Sequence, residues 1–134
     1  MIIADTNLIS YLFLTGPSSD VAEQVLQKDP EWVAPLLWKS EFRNVLALYV
    51  RQEILTLNDS ITIFDAALEL MTGHEYEIVS HRVVQLAYEN SCSAYDCEFV
   101  VLAEELQVPL VTADKKLLKA FPAVTRSPQQ FCTA

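Results

Sequence analysis

Short, solidly apolar runs alternate along this chain with longer stretches in which apolar residues recur three and four positions apart, the marks of buried strands and amphipathic helices. Met1 to Ala4 is the first run, and Asp5-Thr6-Asn7 can cap a helix over Leu8 to Leu14 that Gly16-Pro17 breaks. Ser18, Ser19 and Asp20 offer the next cap, for a helix that buries Val21, Val25 and Leu26 and ends near Lys28. Trp32 to Ala34 reads as the second strand, and Pro35 turns the chain into a long helix from near Leu36 to Arg51. Asn58 or Asp59 caps a fourth helix to Met71, which Gly73 ends. Tyr76 to Val79 is the third strand, Ser80 caps a helix through Tyr88, and Ser93 caps the next, which runs to Leu106. Pro109 to Thr112 forms a fourth strand, Lys115 to Ala120 a short helix, and Val124 to Arg126 a fifth, edge strand. This alternation implies right-handed crossovers and one α/β domain, its central parallel sheet of four to five strands flanked by helices on both faces.

Four acids interrupt the apolar pattern. Asp5 follows the first strand directly and Asp114 stands two residues beyond the fourth, at the carboxyl ends where parallel sheets hold their sites. If those strands are neighbours, two carboxylates meet. Glu41 falls inside the stripe of the third helix, read as Trp38, Phe42, Val45, Leu48 and Tyr49, and Asp96 leads a stripe of Phe99, Val100, Ala103 and Leu106. A first-turn acid such as Asp96 is commonly only a cap or dipole partner, whereas mid-helix Glu41 has to meet a base or a metal ion. Burying unpaired charge is costly, so the four together read as a divalent-cation site for cutting phosphodiester bonds.

At 134 residues, 51% of them hydrophobic, the chain is expected to form one domain with its own core. The longest uncharged stretch near its start, Thr6 to Ser19, falls short of the roughly 20 apolar residues of a membrane span. No Lys or Arg precedes that stretch to begin a secretory signal, so the expected location is cytoplasmic. Cys92, Cys97 and Cys132 lack metal-site spacing and read as small buried hydrophobes in a reducing compartment. Nine Lys and Arg against 18 Asp and Glu leave a net charge of −9, the wrong sign for holding nucleic acid by phosphate neutralisation alone. Such a role needs bound cations or local bases. Lys39 and Arg43 flank Glu41, and Lys115, Lys116 and Lys119 follow Asp114, although each alone also reads as an ordinary solvated charge.

Four segments carry a resemblance that spans essentially the whole chain. Ile2-Ile3-Ala4-Asp5-Thr6-Asn7 resembles the first motif of the PIN domain, and Val33-Ala34-Pro35 with Ser40-Glu41 and Asn44-Val45-Leu46 the second. Ser93-Ala94-Tyr95-Asp96 with Val100-Val101-Leu102-Ala103 is similar to the third, and Pro109-Leu110-Val111-Thr112-Ala113-Asp114 to the fourth. Their order and spacing make the combination specific, and small stand-alone chains of this kind resemble the VapC-type toxins. The resemblance implies a PIN-like nuclease domain over residues 1–134: a metal-dependent endoribonuclease, toxin of a type II toxin–antitoxin pair, held inactive by a small antitoxin protein. Many members carry a further acid just after the fourth motif, where this chain has Lys115 and Lys116, so one metal ion or two stays open. A catalytically silent PIN-like module that binds RNA or protein, and a solitary RNA-processing nuclease, are the alternatives.

Crowded carboxylates suit a hard cation, Mg2+ or Mn2+. Asp5, Asp96 and Asp114 are read as its ligands, directly or through water, and Glu41 as a ligand or as the base orienting water. Asn7 and Thr112 are the expected donors that hold carboxylates in place, and Lys39 and Arg43 the bases that steer RNA phosphates. The apolar residues Leu48, Tyr49, Ile54, Leu55, Ile61 and Phe64 exceed what one sheet face needs, which points to a homodimer. An antitoxin tail is expected to cross the surface near Leu12, Trp38 and Phe42. Two other small folds fit less well: a receiver domain needs Asp after its third strand, where Val79-Ser80 stands, and a dehalogenase-type phosphatase needs an acid at the position of Asn7.

Overall fold

The computed structural model describes residues 1–134. Strands β1 (Ile2–Ala4) and β2 (Trp32–Pro35) are buried at every residue, as solid apolar runs require when both faces of a sheet are covered. With β3 (Glu75–Tyr76), β4 (Leu110–Val111) and β5 (Thr125–Arg126) they form a five-stranded sheet in the order β3-β2-β1-β4-β5. Every adjacent pair is parallel. From β1 the chain first adds strands on one side and then returns to add β4 on the other, so the order reverses between β1 and β4. A crevice opens at that reversal, above the carboxyl ends.

The helices are α1 (Thr6–Phe13), α2 (Ser19–Lys28), α3 (Leu37–Arg51), α4 (Leu57–Met71), α5 (Ser80–Asn90), α6 (Ala94–Leu106), α7 (Lys115–Ala120) and α8 (Pro128–Thr133). Helix α6 lies against β1, β2 and β4, with α5 packed on it, while α3 and α4 meet β2 and each other. None is long and apolar enough to cross a membrane.

Several boundaries differ from the expected ones for local reasons. β3 is Glu75–Tyr76 and not Tyr76–Val79, because its partner β2 ends at Pro35 and turns into α3, leaving Ile78 and Val79 no ladder to join. The cap of α4 is Thr56, whose hydroxyl accepts from Asp59 N at 3.1 Å, so Asp59 is a first-turn acid rather than the cap. Val79 precedes α5 without a side-chain cap, Ser80 is its first residue, and Ser91 closes it with φ of 53°. Gly73 does supply the left-handed turn after α4, at φ of 83°. Helix α8 was not expected, although Ser127, Pro128 and Gln130 make a capping box with proline in the first turn. Lys28 holds its end through hydrogen bonds to the carbonyls of Phe131 and Ala134.

The core centres on Trp32, Trp38 and Phe42, none of them exposed at all. Trp38 and Phe42 therefore offer no surface to a passing peptide, contrary to expectation. Phe64 of α4 packs on both, with ring centroids 6.1 and 6.2 Å away. On α3 the buried stripe is Trp38, Phe42 and Leu46, whereas Leu48 is 44% exposed. Cys92 and Cys97 are buried, Cys132 is partly so, and all three are free thiols. Truncating Phe42→Ala leaves a cavity between α3 and the sheet and should cost about 3–5 kcal/mol in a denaturant titration. A loss below about 1 kcal/mol would show that the aromatic cluster contributes little to stability.

Candidate active site

Parallel pairing of Ile3 with Leu110 and Ala4 with Val111 carries β1 and β4 side by side to their carboxyl ends, where the next residues are Asp5 and Thr112. Asp5 leaves the strand in extended conformation and caps α1, with Oδ1 accepting from Leu8 N at 2.7 Å. Its Oδ2 accepts a short hydrogen bond from the Thr112 hydroxyl, which is fully buried. The same hydroxyl oxygen accepts from Asp114 N at 3.0 Å, and Asp114 in turn caps α7 through Lys116 N and Leu117 N. One hydroxyl thus fixes two acid-bearing turns.

Glu41 reaches the same crevice from α3, half-buried, and its Oε1 accepts from the Thr6 hydroxyl at 2.6 Å. Thr6 opens α1 directly after Asp5, so that helix carries one acid and orients another. Asp96 sits in the first turn of α6, where its backbone N–H donates to the Ser93 hydroxyl at 3.0 Å. Asp5, Glu41, Asp96 and Asp114 are linked electrostatically. Burial pushes the Asp5 carboxyl up to about 6, with Asp114 and Glu41 adding to the rise against the pull of its two hydrogen bonds. Burial also raises Glu41 and Asp96, further raised by Asp96 and Asp114 respectively.

Other residues stand differently from expectation. Asn7 is exposed and holds no carboxylate; Thr6, which sequence reasoning passed over as part of a cap, does so instead. Lys39 and Arg43 flank Glu41 in sequence, but two residues along a helix is about 200° around it, and they face away. Lys39 pairs with Glu75 at 3.2 Å and Arg43 lies over the Phe64 ring at 5.6 Å. Burial keeps the Asp96 carboxyl above its ordinary value, and among the bases only Lys116 opposes that rise. A fifth acid, Glu98 of α6, faces Glu41, which adds to the rise that burial gives it.

None of the four carboxylates forms an ion pair; the protein's pairs join Met1 to Asp29 and Glu31, Lys39 to Glu75 and Arg82 to Glu104. An all-oxygen donor set without an ion-pair partner fits a hard divalent ion. As placed, no three of these side chains stand close enough to hold an ion together. Both Asp5 oxygens and one each of Glu41 and Asp114 already accept hydrogen bonds, which favours an ion that keeps some of its waters.

The chain matches the PIN domain over residues 2–122. It belongs to the PIN-domain family. It is 25% identical over 126 residues to a protein of Pyrobaculum aerophilum named ribonuclease VapC3, covering 92% of this chain and 96% of that one. Its fold is shared with the crystal structure of PAE2754 from the same organism, at TM-score 0.79 and 16% identity over 98% of this chain and 86% of the other. A toxin–antitoxin complex from Klebsiella pneumoniae contains a chain matching at TM-score 0.70 and 20% identity, over 96% of this chain and 98% of that one.

The raised Asp5 carboxyl has a consequence for stability. An acid whose pKa is higher in the folded than in the unfolded protein stabilises the fold fully below the unfolded value near 4, and that contribution is lost as pH rises through about 6. Metal-free protein should lose on the order of 3 kcal/mol from this group between pH 4 and pH 7. Asp5→Asn retains an acceptor for Leu8 N and should flatten that slope in melting curves. A slope unchanged in the variant would mean that Asp5 is not its source.

Proposed function

We propose that this member of the PIN-domain family is a Mg2+- or Mn2+-dependent endoribonuclease acting as the toxin of a toxin–antitoxin pair. The observation that carries the reading is the approach of Asp5, Glu41, Asp96 and Asp114 to the crevice between β1 and β4 with none of them in an ion pair. A bound divalent ion would supply a water of lowered pKa and stabilise charge on the attacked phosphate. In this reading the protein's own groups hold the arrangement. Thr112 orients Asp5 and ties it to the turn bearing Asp114, Thr6 keeps Glu41 directed into the crevice, and Lys116 offers positive charge beside Asp96. With Lys115 and Lys116 following Asp114 where many PIN proteins carry an acid, a single hydrated ion bound by Asp5, Asp96 and Asp114, largely through its waters, suffices for the proposed chemistry.

The name of the VapC3 relative supports ribonuclease action, and the Klebsiella complex supports an antitoxin partner. A groove of about 600 Å3 between α1, α2 and α4 joins Leu12, Phe13, Leu26 and Leu70 to the acids Glu23 and Glu69. An amphipathic antitoxin tail with basic residues fits that surface and the net charge of −9. The exposed Leu48, Ile54 and Ile61, at 44, 59 and 52%, support a homodimer.

Purified protein should cut RNA with Mg2+ or Mn2+ and stop on chelation, and Asp96→Asn or Glu41→Gln should each slow cleavage by about 10²-fold or more. Cleavage undiminished in both variants would identify a contaminating nuclease. Induced expression should arrest bacterial growth, and co-expression of the antitoxin should relieve the arrest. Normal growth with active enzyme present would favour a solitary RNA-processing nuclease.

A further inference from the structure

Beside the carboxylates, a cleft of about 210 Å3 opens between α1, the loop after it and α3, bounded by Asn7, Tyr11, Val45, Tyr49 and the Gly16–Ser19 turn. It shares its helix faces with the acids. Asn7 and Tyr11 stand four residues apart on the helix that Asp5 caps, and Glu41, Val45 and Tyr49 follow one another at the same interval along α3. Tyr11 and Tyr49 are partly buried, packed against the core and lining the cleft. Burial raises the Tyr11 hydroxyl, and the charge of Asp5, which caps the same helix, adds to that rise.

The polar groups of its walls fall into two kinds. Ser10 and Ser19 bond back to the carbonyls of Thr6 and Leu14 and are satisfied. The two tyrosine hydroxyls and the exposed Asn7 amide have no partner within the protein. The cleft adjoins an acidic centre, so it suits a neutral ligand rather than an anion. Two aromatic rings offer faces for stacking, and an amide offers both a donor and an acceptor, the complement that an unpaired base presents on its edge. We propose that this cleft is a nucleobase subsite, in which one unstacked RNA base beside the cleaved phosphate lies against Tyr11 and Tyr49 and turns its polar edge to Asn7. The subsite rests on the ribonuclease reading and adds to it a source of sequence preference: single-stranded RNA is bound by stacking, and Asn7 selects among bases.

The test begins with a random-sequence single-stranded RNA pool, from which one cleaved oligonucleotide is taken and remade with an abasic position at each nucleotide around the cut. With wild-type enzyme, one abasic position next to the cut should raise KM about tenfold or more. Tyr11→Leu or Tyr49→Leu should raise KM similarly on intact RNA, with little further loss on the abasic RNA, because both changes remove the same contact. Tyr11→Phe should retain most of the stacking, and Asn7→Ala should broaden the base preference at that position. Melting curves check that each variant is folded. Independent, fully additive losses, or no KM change in either leucine variant, would overturn the subsite while leaving the nuclease intact. If wild type cuts nothing, a single-stranded oligonucleotide selected from the pool by binding is remade with an abasic position at each nucleotide in turn, and the set is titrated by fluorescence anisotropy in Mg2+. Non-additive binding losses would then uphold the cleft and reject the nuclease, and additive or absent losses would reject both.

Discussion

A single buried hydroxyl joins the two halves of this sheet at its working end. Thr112 sits where β4 stops, donates to Asp5 at the end of β1 and accepts from the backbone of Asp114. Because strand order reverses between β1 and β4, these are the two chain ends that no crossover helix covers on the same side, and the crevice depends on their staying in register. A valine at position 112 would fill the same volume and could do neither job. It would leave one Asp5 oxygen unpaired in the interior, where an unmet polar group is costly.

Around that joint the protein sets burial against charge. Asp5 is only 7% exposed and carries a carboxyl raised to about 6, yet it accepts two hydrogen bonds that favour the ionised form. In Glu41 and Asp96 burial likewise raises the carboxyl against a hydrogen bond that lowers it, and the charge of Asp96 adds to the rise of Glu41 and that of Asp114 to the rise of Asp96. A purely structural arrangement would relieve this with a lysine or arginine. The protein instead commits Lys39 to Glu75 and sets Arg43 over Phe64, leaving the four carboxylates without an ion-pair partner. Sites that keep unrelieved electrostatic stress are commonly functional ones.

The sheet was legible because β1, β2 and β4 are solid apolar runs at the right spacing, and Asp5 and Asp114 because each follows such a run directly. What the sequence hid was orientation. Lys39 and Arg43 look like neighbours of Glu41 in one dimension and are turned away from it by the helical period. Leu48 and Leu46 exchange their expected places because α3 presents a narrower face to β2 than its apolar content suggests. Thr6 was hidden by its ordinary role: a threonine after a capping aspartate looks like part of the cap, and only the packing of α3 against α1 makes its hydroxyl the partner of Glu41. The end of α5 was obscured for another reason, since Ser91 takes a left-handed conformation that a glycine usually marks.

The second of the two lysines after the fourth acid, Lys116, belongs to the same logic. Its backbone N–H donates to Asp114, so the turn is built regardless of the side chain that position 116 carries. Its ammonium group is in no ion pair, and its charge opposes the rise that burial gives the Asp96 carboxyl. An acid there would have added a further negative charge to a protein already at −9. With lysine on α7, a positive charge instead opposes the rise of the Asp96 carboxyl. For the proposed nuclease this supplies locally what the composition denies overall, a charge able to meet an incoming phosphate without competing for the carboxylates that hold the ion.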